Sequence, residues 1–149
     1  MPRSLSNILV HIVFSTKNRS NLIPPSLEEN LHAYMAEIYH DASCPALIIG
    51  GTENHVHTLC RLERTVTVAQ LLEKVKKGSS KWIKTQGVSS DFAWQAGYGA
   101  FSIGASNTEA LSRYIRNQKQ HHQNTTFEDE YRTLLHKYGV EFDERYVWD

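Results

Sequence analysis

Several things are scarce in this sequence. It has two cysteines, Cys44 and Cys60, and no C-x-x-C pair. That excludes a disulfide framework, and both thiols are expected to be reduced and buried. No apolar run approaches the length of a membrane span, and Met1 to Asn7 contains no signal-peptide core, so a soluble, cytoplasmic chain is expected. No repeat and no linker divides the chain, so one domain is expected over 1–149. A charge excess is missing too: 16 Lys+Arg balance 16 Asp+Glu. Taken whole, that neutrality argues against a nucleic-acid binder, whose footprint is usually basic. Disorder is excluded by what is present, since 40% of residues are hydrophobic and 10% aromatic.

The first strong segment, Asn7-Ile8-Leu9-Val10-His11-Ile12-Val13-Phe14-Ser15, reads as a central strand from its β-branched and aromatic content. A polar stretch with Lys17 and Arg19 follows, then Pro24-Pro25. Ser26-Leu27-Glu28-Glu29 fits a capping box opening a helix, with Leu31, Tyr34, Met35, Ile38 and Tyr39 at helical spacing. Residues 46–51 and 55–62 flank a turn-rich spacer and predict a hairpin. Residues 68–83 predict an amphipathic basic helix. After the loop Gly87-Val88-Ser89-Ser90-Asp91, residues 92–103 predict short strands interrupted at Gly97 and Gly99. Ser106-Asn107-Thr108-Glu109 predicts a second capping box, on a helix reaching about Gln123, and a last helix runs from about Phe127 to Tyr138, ending at Gly139. The order β-α-β-β-α-β then α-α predicts an α+β, ferredoxin-like (RRM-like) antiparallel sheet with helices on one face, plus C-terminal helices.

Two patterns bear on chemistry. In His55-Val56-His57, a strand puts both imidazoles on one face and Val56 on the other. Two adjacent imidazoles suit one divalent metal, although a lone His-x-His is a weak signal. On the helix after Ser106, Tyr114 and Gln118 stand i, i+4 on one side, beside the apolar stripe of Leu111 and Ile115, with His121 and His122 continuing the Tyr114 side.

Charge is also unevenly placed. Residues 61–84 carry Arg61, Arg64, Lys74, Lys76, Lys77, Lys81 and Lys84 against Glu63 and Glu73, whereas the acid gathers after residue 125. Neutrality is therefore a cancellation and does not exclude DNA. Trp94, Tyr98 and Phe101 read equally as core aromatics or as platforms for unpaired bases.

Together, His55-Val56-His57, the helix Tyr114-Ile115-Arg116-Asn117-Gln118-Lys119-Gln120-His121-His122, the stretch Trp94-Gln95-Ala96-Gly97-Tyr98-Gly99-Ala100-Phe101, and the ending Asp143-Glu144-Arg145-Tyr146-Val147-Trp148-Asp149 resemble the single-tyrosine HUH transposases of small bacterial insertion sequences and their repeat-associated relatives. The resemblance covers nearly the whole chain. It implies that Tyr114 is the nucleophile, forming a 5′-phosphotyrosine, and that His55, His57 and Gln118 hold Mg²⁺ or Mn²⁺. It implies a single-stranded DNA substrate with hairpin ends, contacts from Lys17, Arg19, Lys77, Lys81, Arg113 and Arg116, and a homodimer with composite active sites. Neither a membrane nor a small-molecule substrate is expected. Read alone, the residues leave two alternatives. One is a catalytically silent nucleic-acid-binding module on the same sheet; the other is a metal-dependent hydrolase that uses the His pair without a covalent intermediate.

Overall fold

The computed structural model describes residues 3–88 and 90–149. Met1, Pro2 and Ser89 of the predicted loop lie outside the described residues. Four strands, β1 (Ile8–Ser15), β2 (Ala46–Gly51), β3 (His55–Leu62) and β4 (Gly99–Ile103), form one sheet in the order β2-β3-β1-β4. Every pairing is antiparallel. With α1 (Pro25–Asp41) after β1 and α2 (Val68–Lys84) after β3, this is the ferredoxin-like arrangement.

The central strand β1 is buried from Leu9 to Ser15, because both faces of the sheet are covered. That explains a near-continuous apolar run where a one-sided strand would alternate. On one face, Val10, Ile12, Phe14, Val56 and Cys60 pack under α1 and α2 with Leu31, Met35, Tyr39, Leu71, Leu72 and Val75. On the other, Leu9, Val13, Leu59 and Phe101 pack under α3 (Thr108–Arg116), α4 (Gln118–His121) and α5 (Phe127–Lys137). Among the described residues, no helix is long and apolar enough to cross a membrane.

Four local expectations are corrected. The Ser26 capping box does not form: Pro25 sits at the first helical position, so the helix starts two residues early, at a Pro24 cap that has no side-chain bond. A capping box does form at Thr67 with Gln70 on α2. The Ser106 box is also absent, because residues 105–107 make a 3-10 turn ahead of α3. The predicted helix to Gln123 divides at Asn117 into α3 and α4. Finally, residues 92–98 form no strand beyond a single bridge from Trp94 to Thr16. The Lys76 ammonium takes the carbonyls of Gln95, Ala96 and Gly97 at 2.9, 3.2 and 2.6 Å, so these acceptors bond to a side chain rather than a neighbouring strand. The helix ending at Gly139 is as expected, with φ 67° at that glycine.

Candidate active site

Strand alternation fixes the sheet half of the site. Val56 enters the core under α1 and α2, while His55 and His57 face α3–α5, and both are fully buried. His11, on β1, shares that face. The helical half reaches the sheet because Gly50 on β2 has no side chain. A Cβ there would collide with the Ile115 carbonyl of α3 and lie 2.9 Å from its Cγ2. This close approach brings Tyr114 over His57, with ring centroids 5.7 Å apart. The division at Asn117 keeps Tyr114 and Gln118 on one side, and both bond to the same carboxylate oxygen, Glu130 Oε2.

Glu130, from α5, is the hub. Its Oε1 lies 2.9 Å from His57 Nε2, 3.0 Å from His122 Nε2 and 3.5 Å from His55 Nε2. Its Oε2 accepts the Tyr114 hydroxyl and, at 3.0 Å, the Gln118 amide. Gln118 Oε1 also meets His55 Nε2 at 2.8 Å. Behind the rings, His55 Nδ1 is held by Asn54 Oδ1 at 2.8 Å, and His57 Nδ1 by His11 Nε2 at 2.8 Å.

Electrostatics follow from this packing. Burial, reinforced by His57, pushes the His55 and His11 rings down to about 3, so both are neutral near pH 7. Burial also opposes ionisation of Glu130, but its bonds to His122 and His57 outweigh it and hold the carboxyl well below the usual range. His122 is raised, because the Glu130 hydrogen bond and charge overcome burial. The Tyr114 phenol is pushed up, first by burial and then by the charge of Glu130 beside it. A neutral imidazole offers its lone pair to a cation, so this donor set fits a divalent ion. Candidate ligand atoms of His55, His122 and Glu130 lie within 4.8 Å of one another. His57 and Gln118 border the same group through the contacts above.

The structure thus brings together Tyr114, His55, His57 and Gln118 within one chain. Lys17 and Arg19 stand on the turn after β1. Arg19 and Lys119 line a cleft of about 750 Å³ that opens onto His122. Arg113 and Arg116 are exposed on α3. Lys77 and Lys81 are exposed on α2, in the layer across the sheet, and are not brought to the site. Trp94 and Phe101 are core residues. Trp94 packs against Phe14 and Phe92 and donates to Ser79 Oγ at 3.0 Å. Tyr98 is partly exposed beside Lys76.

Three residues escaped the sequence reading in these roles. Glu130 stands three residues after Phe127 and four before Leu134, inside the apolar stripe of α5, and an acid in such a stripe is the signal that marks it. His11 is the polar residue in an otherwise apolar central run. His122 was placed on the Tyr114 side but given no role.

A family profile described as "Transposase IS200 like" matches residues 4–118. No curated protein matches. Among solved structures, a protein from Deinococcus radiodurans R1 described as a transposase is similar at TM-score 0.64 and 14% identity, covering 79% of this chain and 95% of that one. A REP-associated tyrosine transposase bound to a REP hairpin is similar at TM-score 0.60 and 13% identity, covering 82% of this chain and 73% of that one. At such identities the two structures speak for the fold, and they share it. The profile spans the HUH strand, the tyrosine helix and the sheet between them, and on that match the chain belongs to the IS200-like transposase family, enzymes that act on DNA.

Proposed function

We propose that this transposase cuts and rejoins single-stranded DNA through a covalent bond to Tyr114. The observation that carries the reading is the convergence of Tyr114 and the His55–His57 pair on Glu130 within one buried cluster. In the reaction, the phenol oxygen bonds to the scissile phosphorus as the bond to the 3′ oxygen breaks. Glu130, in contact with the phenol, receives its proton, and the departing oxygen takes one from water to leave as a 3′-hydroxyl. The product is a 5′-phosphotyrosine, which stores the bond for rejoining.

His55, His57 and Gln118 would hold a divalent ion, Mg²⁺ or Mn²⁺, with His122 and Glu130 adjoining. Such an ion neutralises and orients the scissile phosphate. Arg113 and Arg116 bind backbone beside Tyr114, and Lys77 and Lys81 bind it farther away. The likeness to a hairpin-bound structure supports a folded DNA end as substrate. Residues 1–149 act as one unit, in the cytoplasm where such DNA is met. The resemblance implies a dimer with shared sites. The complete constellation inside one chain supports a site that works in cis, so mixing Tyr114→Phe with His57→Ala chains is expected not to restore cleavage.

The test is incubation with Mn²⁺ and end-labelled single-stranded DNA from the flanks of the gene. A denaturation-resistant adduct that disappears in Tyr114→Phe is expected. Undiminished cleavage in that variant would remove the nucleophile assignment, and binding without cleavage would favour a silent nucleic-acid-binding module.

A further inference from the structure

A strongly polar contact on the His face that the chemistry above does not use is made by His11. It lies mid-strand between Leu9 and Val13 on the inward face, fully buried. An aliphatic side chain would satisfy that position as its neighbours do. An imidazole there must place two ring nitrogens away from bulk solvent, and one of them, Nδ1, has no hydrogen-bond partner among the described residues. Leaving such a group unmatched is destabilising. The other, Nε2, is committed to His57 Nδ1 at 2.8 Å, the rings inclined by 22°. His57 is thus gripped on both sides, by His11 behind and by Glu130 in front.

We propose that His11 is a positioning residue: it fixes the orientation and tautomer of His57, so that Nε2 presents a lone pair to a divalent cation. This rests on the reading of His57 as a ligand. The argument is a proton count. A ring that gives its Nε2 lone pair to a cation carries its single proton on Nδ1, and that proton needs an acceptor. His11 Nε2 is in place to accept it, and the proton of His11 then sits on its own Nδ1. His11 lines a second cavity of about 380 Å³, with Asn107, Tyr114 and Lys137 on its walls. With the carboxylate of Glu130 accepting from His57 Nε2 instead, both rings take the opposite tautomer and His11 donates. An imidazole serves either arrangement. A carboxylate at position 11 could only accept, and an ammonium only donate. The choice of histidine is explained by a partner that must exchange one tautomer for the other.

The experiment measures Mn²⁺ binding to the whole protein without DNA, by loss of the free-ion electron paramagnetic resonance signal, in wild type, His11→Phe, His11→Gln and His57→Ala. Loss of such an outer partner lowers metal affinity about 10–100-fold, and that drop is expected for His11→Phe. His11→Gln, whose amide can both donate and accept, is expected to recover most of it. Nitrogen-15 spectra of Mg²⁺-loaded wild type supply a readout independent of any variant's folding, with the His57 proton expected on Nδ1. Wild-type affinity in His11→Phe together with weak binding in His57→Ala overturns the role of His11 alone. Wild-type affinity in His57→Ala overturns the ligand reading and this inference with it. A proton on Nε2 of metal-loaded His57 overturns the inference directly.

Discussion

Lowering the pH from 7.5 to 5 with chelator present is expected to strip this fold of several kcal/mol. The loss comes from two buried rings, His11 and His55, both held at about 3 by burial. Their unfolded value is 6.5. At pH 5 the unfolded chain binds a proton at each ring and the folded chain does not. Stability therefore falls as pH drops below 6.5 and keeps falling towards 3. Integrated to pH 5, this amounts to about 2 kcal/mol per ring, so about 4 kcal/mol for the two. His122 has the opposite sign: its raised value favours the folded state as pH falls through it, and returns part of the loss. Glu130, held low, adds acid sensitivity only as pH falls through the ordinary carboxyl range and below it. The assay is urea denaturation followed by circular dichroism across this pH range. With a slope on the order of 2 kcal/mol per molar urea, the midpoint should move by roughly 1–2 M. In His11→Phe the pH-dependent loss should shrink by about 2 kcal/mol, because one of the two rings is gone. A midpoint constant between pH 7.5 and 5, or a His11→Phe variant with the full wild-type slope, would refute the burial argument.

Other perturbations separate packing from chemistry. Gly50→Ala should cost about 1–3 kcal/mol by overpacking against Ile115 and reduce adduct formation, because α3 carries Tyr114; wild-type melting and cleavage would show that α3 does not need the close approach. Glu130→Gln should bring the Tyr114 phenol down, read from the titration of its ring carbon by NMR, since a neighbouring negative charge is removed. Trp94→Phe should lose about 1 kcal/mol with its bond to Ser79 and leave single-stranded DNA affinity unchanged; a selective loss of affinity would return Trp94 to the DNA surface. Arg116→Ala should weaken DNA binding and lower its salt slope by about 1, whereas Lys77→Ala with Lys81→Ala should leave the cleavage rate of bound DNA intact.

The sheet was legible because its signals are local. The run around His11, the hairpin about residues 52–54 and the spacing of α1 and α2 each fix an element from its own residues, and the element order then leaves few topologies. His55 and His57 were legible for the same reason, since strand alternation makes i, i+2 a statement about space. Glu130 was not legible as a site residue, because its partners come from β3, α3 and α4, and no sequence spacing relates them. In the sequence it is only one of the acids gathered after residue 125. Lys76 shows the limit in another form. It sits in a basic run that suggests a DNA face, yet it is spent on three backbone carbonyls of the segment before β4, which is also why that segment is not the strand its aromatics suggested.

The site is assembled from two kinds of structure with different lifetimes. His11, His55 and His57 ride on the two central strands, whose release requires breaking the sheet. Tyr114, Gln118, His122 and Glu130 ride on a 9-residue helix, a 4-residue helix, the turn after it and an 11-residue helix. Helices this short have little stability of their own and persist through their contacts with the sheet. The lid half can therefore swing away while the base half stays folded, and amide hydrogen exchange should show α3 and α4 protected far less than β1 and β3. Such a division would let Tyr114 part from the imidazoles without unfolding the sheet.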